Sequence, residues 1–274
     1  MPTTRRTSAL LWYLPVGVIT LAFAFPIAWM LMTSVKTLGD TFALPPKFIF
    51  TPTFDNYRAV LENQDFRQSM INSVIVVLIS TAFSIALGCL TAYGFSRYRV
   101  PGGDNILFWI LSLRMLPAIA VIVPYFLLFG ALRLLDKHLA LIMVYSIFNI
   151  SFSVWLLKGF FDEIPREMEE AAMMDGFGPW QVFRRVSLPL VIPGIVTVAV
   201  FNIIQSINEF LLAFVLTSRE ATTGPVALAK FQSAIGVNWG QISAAASMLV
   251  VPVIIFTILV RRHLIRGMSF GRLR

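Results

Sequence analysis

Six apolar runs, at roughly 9–32, 73–95, 105–129, 139–157, 188–216 and 241–260, leave this chain few ways to fold. Each reaches about the 20 residues that cross roughly 30 Å of hydrocarbon at 1.5 Å per residue. Within lipid, every backbone N–H and C=O must be satisfied by the segment itself or by a closed barrel. None of the runs shows the sustained alternation of barrel strands, so helices are the remaining solution. Charged residues make up 13% of the chain, about half their share in soluble domains. The sequence thus predicts an all-α polytopic membrane protein with six transmembrane helices. Arg5 and Arg6 precede the first run, as in a signal peptide. Its apolar core is much longer than the 7–15 residues of a signal h-region, and no small-x-small site closes it, so a retained, peripheral first helix is predicted at 9–32.

The net charge of +8 raises nucleic acid as a partner, but basic loops held on the cytoplasmic side explain it without one. Six spans place both termini on one side. With the termini inside, the inner segments carry 13 of the 22 basic residues and the outer segments 8, with Arg114 inside a span. That asymmetry predicts an N-in, C-in topology and no nucleic-acid partner. Cys89 is the only cysteine and lies in the second run, which excludes an intrachain disulfide. His138 and His263 have no metal-ligand spacing, so no metal site is expected.

One membrane domain, 1–274, accounts for the whole pattern, with core helices at about 73–260. Loop 33–72 reads as extended Pro-rich chain before a short amphipathic segment, and "LRLLDKH" as a short outer turn. In loop 217–240, Gly224–Pro225 reads as a turn. The inner loop 158–189 is the one long wet stretch, containing "EEAAMMDGFGPWQVFRRVSLP". It reads as two short helices. Pro165 suits a first helical position, and Glu167, Glu169 and Glu170 complement the N-terminal end of the dipole. Asp175–Gly176 stops the first helix with a left-handed glycine cap. Pro179 starts a second that ends at Arg184 and Arg185, before Leu188–Pro189. Met168, Ala171, Ala172 and Met174 form a shallow apolar face on the first, and Trp180, Phe183 and Val186 share a side of the second. Such a hairpin can lie on the bilayer, pack on its own helices or dock into a soluble partner. Its acidic first helix suits anionic lipid poorly, which favours docking.

The run Glu170-Ala171-Ala172, three residues to Gly176, nine to Val186, then Leu188-Pro189, resembles the EAA loop of bacterial ABC importer permeases. "NSVIVV", "AYGFSRYRVPG" and "INEFLLAF" extend the likeness to the carbohydrate-uptake, maltose-type branch. Val186 stands where isoleucine is usual, and Ile207 where that branch often has Trp. The resemblance implies a type I importer permease fold and an ATPase-coupling surface of Glu169, Glu170, Ala171, Ala172, Asp175, Gly176, Val186, Leu188 and Pro189. It also implies import of a sugar, sugar-like or other polar solute through a bacterial inner membrane. The implied partners are a second permease, two ATPase subunits and a solute-binding protein contacting loop 217–240. No G-x-x-x-x-G-K-[ST] occurs, so a non-enzymatic subunit without its own cofactor is expected, ATP and Mg belonging to the partners. A self-sufficient secondary transporter should show a paired repeat and a midplane coupling carboxylate, and neither is evident.

Arg114, Asn149, Asn202, Gln205, Asn208 and Glu209 are costly at membrane depth unless they face partners or water. Asn202, Gln205, Ser206 and Glu209 recur at i, i+3, i+4 and i+7, one face of a helix. Such a stripe can line a route for hydroxyl-rich solutes or can glue helices together, and both readings stand. Arg114 lies about nine residues from the inner end of its span and Glu209 about twenty, roughly 14 and 30 Å. Depth therefore predicts an Arg114, Asn149, Asn202 cluster and no Arg114–Glu209 ion pair.

Overall fold

The computed structural model describes the backbone of residues 4–233 and 236–269 and the side chains of 13–231 and 238–260. By its internal contacts the chain divides into two compact units, Met1–Arg67 with Leu228–Val251, and Gln68–Ala227 with Pro252–Arg274.

The first unit contains α1 (Thr4–Ser34), the one-turn α2 (Leu38–Thr41) and α3 (Asp55–Glu62). It also holds the start of the last helix, α14 (Trp239–Ser269). The apolar window of α1 is wholly unburied, so its side chains face whatever surrounds the unit rather than a core. What packs is its C-terminal end. Tyr57 Oη on α3 bonds Ser34 Oγ and Ser247 Oγ, each at 2.8 Å, and joins three helices through one phenol. Asn56 Nδ2 donates to the carbonyls of Ser34 and Lys36 at 3.0 and 2.8 Å. Gly240 lies so close to Asn56 that a Cβ there would stand 2.7 Å from its amide.

The second unit is organised by α4 (Gln64–Arg97) and α7 (His138–Asp162). Gly88 lets them touch: a Cβ at that position would sit 2.5 Å from Ser153 Cβ. Small residues at such crossings replace the hydrophobic drive that lipid removes. One core cluster gathers Val76, Phe129, Leu141, Val144, Tyr145 and Leu212. A second, around Cys89, Tyr93, Phe160, Phe161 and Phe183, packs toward the other end of α4.

Among the described residues four helices are long and apolar enough to cross a membrane: α1, α4, α7 and α14. The remaining two predicted spans are bent pairs rather than continuous helices. The run 105–129 divides into α5 (Gly103–Ser112), a 3₁₀ turn at Leu113–Met115 and α6 (Ala118–Ala131), with a 93° bend. Pro117 causes the break, because proline excludes helical backbone for Leu116, which is extended at ψ 123°. The run 188–216 also breaks. A 71° bend at Val191 precedes α11 (Ile192–Ile207), which stops at Asn208 before α12 (Leu211–Leu216). Pro193 lies in the first turn of α11, where its missing N–H is tolerated. Apolar content thus marked membrane depth, while proline decided where a helix could not run straight.

One loop also differs from expectation. Gly224–Pro225 opens a helix, α13 (Gly224–Ala229), in place of a turn, proline again filling a first-turn position. The turn before α7 is a knot of bonds. Asp136, at φ 58°, accepts the amides of Ser218, Arg219, Glu220 and Ala221 and the hydroxyl of Ser218, at 2.9–3.1 Å. Burial alone would raise its carboxyl pKa, but these donors outweigh burial and hold it well below the usual carboxylate range. Asn72 adds a second tie, donating to the carbonyls of Glu220 and Thr222 and bonding His138 Nε2 at 2.9 Å. His138 is therefore spoken for at the start of α7. Among the described residues no group of His, Cys, Asp and Glu could hold a metal.

Candidate functional site

Two features of the second unit carry chemistry beyond packing: the wet hairpin 158–189 and a polar cavity beside the break in the third predicted span.

In the hairpin, α8 (Arg166–Met174) follows Pro165, which sits one place before the helix instead of in its first turn. Its end is a Schellman motif. Gly176, at φ 88°, donates to Met173 O at 3.0 Å, and Phe177 donates to Ala172 O at 3.1 Å. Only glycine adopts that φ without strain, so the angle between the two limbs depends on it. The second limb starts with Pro179 in α9 (Pro179–Val182), and Gln181 Oε1 reaches back to accept the Gly178 amide at 2.9 Å. It does not end at Arg185. A π turn, Phe183–Ser187, carries it into α10 (Leu188–Leu190), with the Leu188 amide bonded to Phe183 O. Pro189 supplies the reason: its ring collides with the carbonyl four residues back, and a wider turn relieves the collision.

A buried charge network holds this hairpin. Arg97 Nε bonds Glu169 Oε2 at 2.7 Å, with both side chains under a tenth exposed. Glu169 Oε1 accepts from Ser187 Oγ at 2.6 Å, which clamps the two limbs together. Arg97 also donates to the carbonyls of Phe161 and Ile164 and to Ser96 Oγ, and Ser96 donates to Asp162. Arg97 thus makes four hydrogen bonds and each Glu169 oxygen accepts one, the kind of satisfaction a buried ion pair requires. Phe183 seals the network, its ring 4.8 Å from that of Tyr93.

The network sorts the residues expected to couple to an ATPase. Glu169 and Ala172 face inward, whereas Glu170, Ala171, Met173, Met174 and Asp175 are exposed. The predicted face of Met168, Ala171, Ala172 and Met174 is therefore split, with Ala172 turned to the protein. Trp180 and Phe183 part in the same way, at 62% and 5% exposure. Val186 and Leu188 are half-buried and Pro189 is exposed. Loop 158–189 thus presents an acidic, Met- and Trp-bearing outer surface on a braced frame. Arg97, Ser96, Asp162 and Ser187 escaped attention as a brace, although "AYGFSRYRVPG" contains the first two and a basic pair beside a wet acidic loop was a readable signal.

The second feature is a half-open cavity of about 230 Å³, lined by Arg114, Tyr145, Phe148, Asn149, Gln205, Ser206 and Glu209 with Leu116, Ala118 and Leu212. Arg114 occupies the 3₁₀ turn at the broken span, and its Cζ lies 4.6 Å above the Phe152 ring. No carboxylate or carbonyl takes its guanidinium among the described residues. Glu209 lines the same cavity, where its Oε1 accepts the Leu212 amide at 2.9 Å and caps α12. Arg114 and Glu209 thus share the cavity without forming a described ion pair.

The polar stripe on α11 divides. Asn202 is buried and donates to Ser153 Oγ at 3.0 Å, and Ser206 Oγ accepts from Asn149 Nδ2 at 2.9 Å. These bonds tie α11 to α7. Gln205 and Glu209 face the cavity, while Asn208 is exposed and not among its lining. The Arg114, Asn149, Asn202 cluster therefore forms only in part: Asn202 is absent from the cavity because Ser153 claims its amide. Its Oδ1 finds no partner among the described residues.

Residues 84–270 match the family of binding-protein-dependent transport system inner membrane components. The chain is 38% identical over 272 residues to the probable ABC transporter permease protein y4oR of Sinorhizobium fredii, covering 99% of this chain and 98% of that protein. It is 35% identical to the trehalose transport system permease protein SugB of Mycobacterium tuberculosis, covering 91% and 92%. Its fold superposes, at TM-score 0.80 and 23% identity, on a chain of a bacterial ABC transporter involved in the import of the acidic polysaccharide alginate, covering 96% and 98%.

Proposed function

The chain belongs to the family of binding-protein-dependent transport system inner membrane components, and from that premise we propose that it is the permease subunit of an ATP-driven sugar importer. In this reading it spans a bacterial inner membrane with both termini inside and performs no chemistry itself. Two ATPase subunits bind ATP and Mg and dock on the exposed face of the hairpin. A second permease completes the route, and a solute-binding protein delivers the solute. The solute is a sugar or sugar-like molecule, in keeping with the trehalose permease among the relatives. The cavity supports a shared route: 230 Å³ is below the roughly 300–1,000 Å³ of self-contained ligand sites, so this chain supplies one wall.

The observation that carries the reading is the division of labour between Glu169 and Glu170. One carboxylate is buried and braces the hairpin to α4; its neighbour is exposed and unbraced. Force applied at the outer face then passes through the buried pair into α4 and α7 as a rigid-body movement. Glu170→Lys tests it. The variant should reach the membrane at the wild-type level, while solute-stimulated ATP hydrolysis and uptake fall at least tenfold. Wild-type coupling in that variant removes the docking role.

A further inference from the structure

The first unit contains a second cavity, which shares no lining residue with the one beside Arg114. Lys36 follows the end of α1, yet it is only 2% exposed. Its Nζ lies 4.7 Å from the Trp29 ring centroid and 5.1 Å from that of Phe50. Among the described residues no oxygen accepts a hydrogen bond from it. Asp40, the carboxylate within its electrostatic reach, is already held by Lys47 at 2.7 Å and by Thr37 Oγ1 at 2.8 Å.

Lys36 lines a cavity of about 370 Å³ with Thr33, Thr41, Ser243, Trp239, Trp29, Pro26, Met30 and Phe42. Thr33 and Ser243 are both more than nine-tenths buried. Other helical hydroxyls here, such as Ser34 and Ser247, donate to a carbonyl three residues back. Thr33 and Ser243 make no such bond among the described residues. Three donors without acceptors therefore converge on one cavity: an ammonium and two hydroxyls. Leaving a buried ammonium unpaired is expensive, and cation–π contacts offset only part of that cost.

We propose that this cavity binds a phosphate oxyanion, supplied by the phosphodiester of an anionic phospholipid. Oxygen acceptors bearing negative charge satisfy all three donors at once. Lipid is favoured as the source by the remaining walls. Pro26 and Met30 continue the cavity onto the unburied apolar flank of α1, where an acyl chain can lie. Trp29 and Trp239 are residues that prefer the headgroup level. The inference rests on the membrane-spanning fold and is independent of the transported solute.

Native mass spectrometry of the detergent-purified complex containing this chain tests it, with titration by dioleoylphosphatidylglycerol, phosphate-free dioleoylglycerol or inorganic phosphate. The wild type should take up one phosphatidylglycerol per copy in preference to dioleoylglycerol. Lys36→Gln should weaken that binding about tenfold, as expected for loss of one charged hydrogen bond, and Lys36→Arg should restore most of it. Displacement of the lipid by millimolar inorganic phosphate, in the wild type alone, upholds the oxyanion site with free phosphate as its source. Equal lipid occupancy in wild type and Lys36→Gln overturns the proposal. So does a wild type that binds phosphatidylglycerol no better than dioleoylglycerol, which needs no variant to fold.

Discussion

Arg97 and Arg114 are the same residue type in two opposite situations. Arg97, at the end of α4, is buried with Glu169, two carbonyls and a serine hydroxyl. Arg114, in the 3₁₀ turn of a broken span, lines a half-open cavity and lies over the face of Phe152, with no hydrogen bond or ion pair among the described residues. A guanidinium at the edge of a membrane domain needs partners or water. Arg97 has found its partners inside the chain, and Arg114 has left its donors at the cavity. The first is therefore a brace, and the second is available to something that arrives.

The sharpest way to break that contrast is Arg97→Leu. Removing one member of a buried pair strands Glu169, so stability should fall by about 3–5 kcal/mol. The loss should show as reduced melting temperature and poor hairpin protection from protease. Arg97→Leu combined with Glu169→Leu should recover part of it; a double variant as unstable as the sum of the singles argues that the residues do not act as a pair. Asn202→Leu is the intermediate case. Its bond to Ser153 is interhelical, so a cost of about 0.6–1.7 kcal/mol is expected, with assembly and uptake falling together. Uptake falling far more than assembly would return Asn202 to the route. Arg114→Gln should be mildest in stability, about 0.5–1 kcal/mol for the lost ring contact. Its uptake should nevertheless fall about tenfold. If instead melting and uptake decline in step, Arg114 is a brace as well and the contrast dissolves.

Much of this was legible in the residues. The place of the apolar runs gave the long apolar helices, and the spacing from Glu170 to Pro189 gave the two-limbed hairpin and its glycine cap. What was not legible was the local geometry imposed by proline. Pro117 turned one expected span through 93°, and Pro189 turned an expected helix end into a π turn. Hydropathy averages over such residues, whereas backbone sterics act on one peptide at a time. Partner choice was the other blind spot. Asn202 and Gln205 look alike on the stripe, and Ser153, 49 residues away in sequence, decides that one bonds a helix while the other faces the cavity. Glu169 and Glu170 are adjacent and chemically alike, and Arg97 makes them different.

The lone cysteine has a practical consequence. Cys89 is packed in α4 at 4% exposure, among Tyr93, Leu157 and Phe161. Thiol reagents that need solvent access should pass it by, so the natural chain already serves as a silent background for spectroscopic labelling. A single new thiol at Met174, 88% exposed on the hairpin, would carry a spin or fluorescent probe without any prior removal of native cysteine. Docking at the hairpin, as proposed, can then be followed while everything else stays dark.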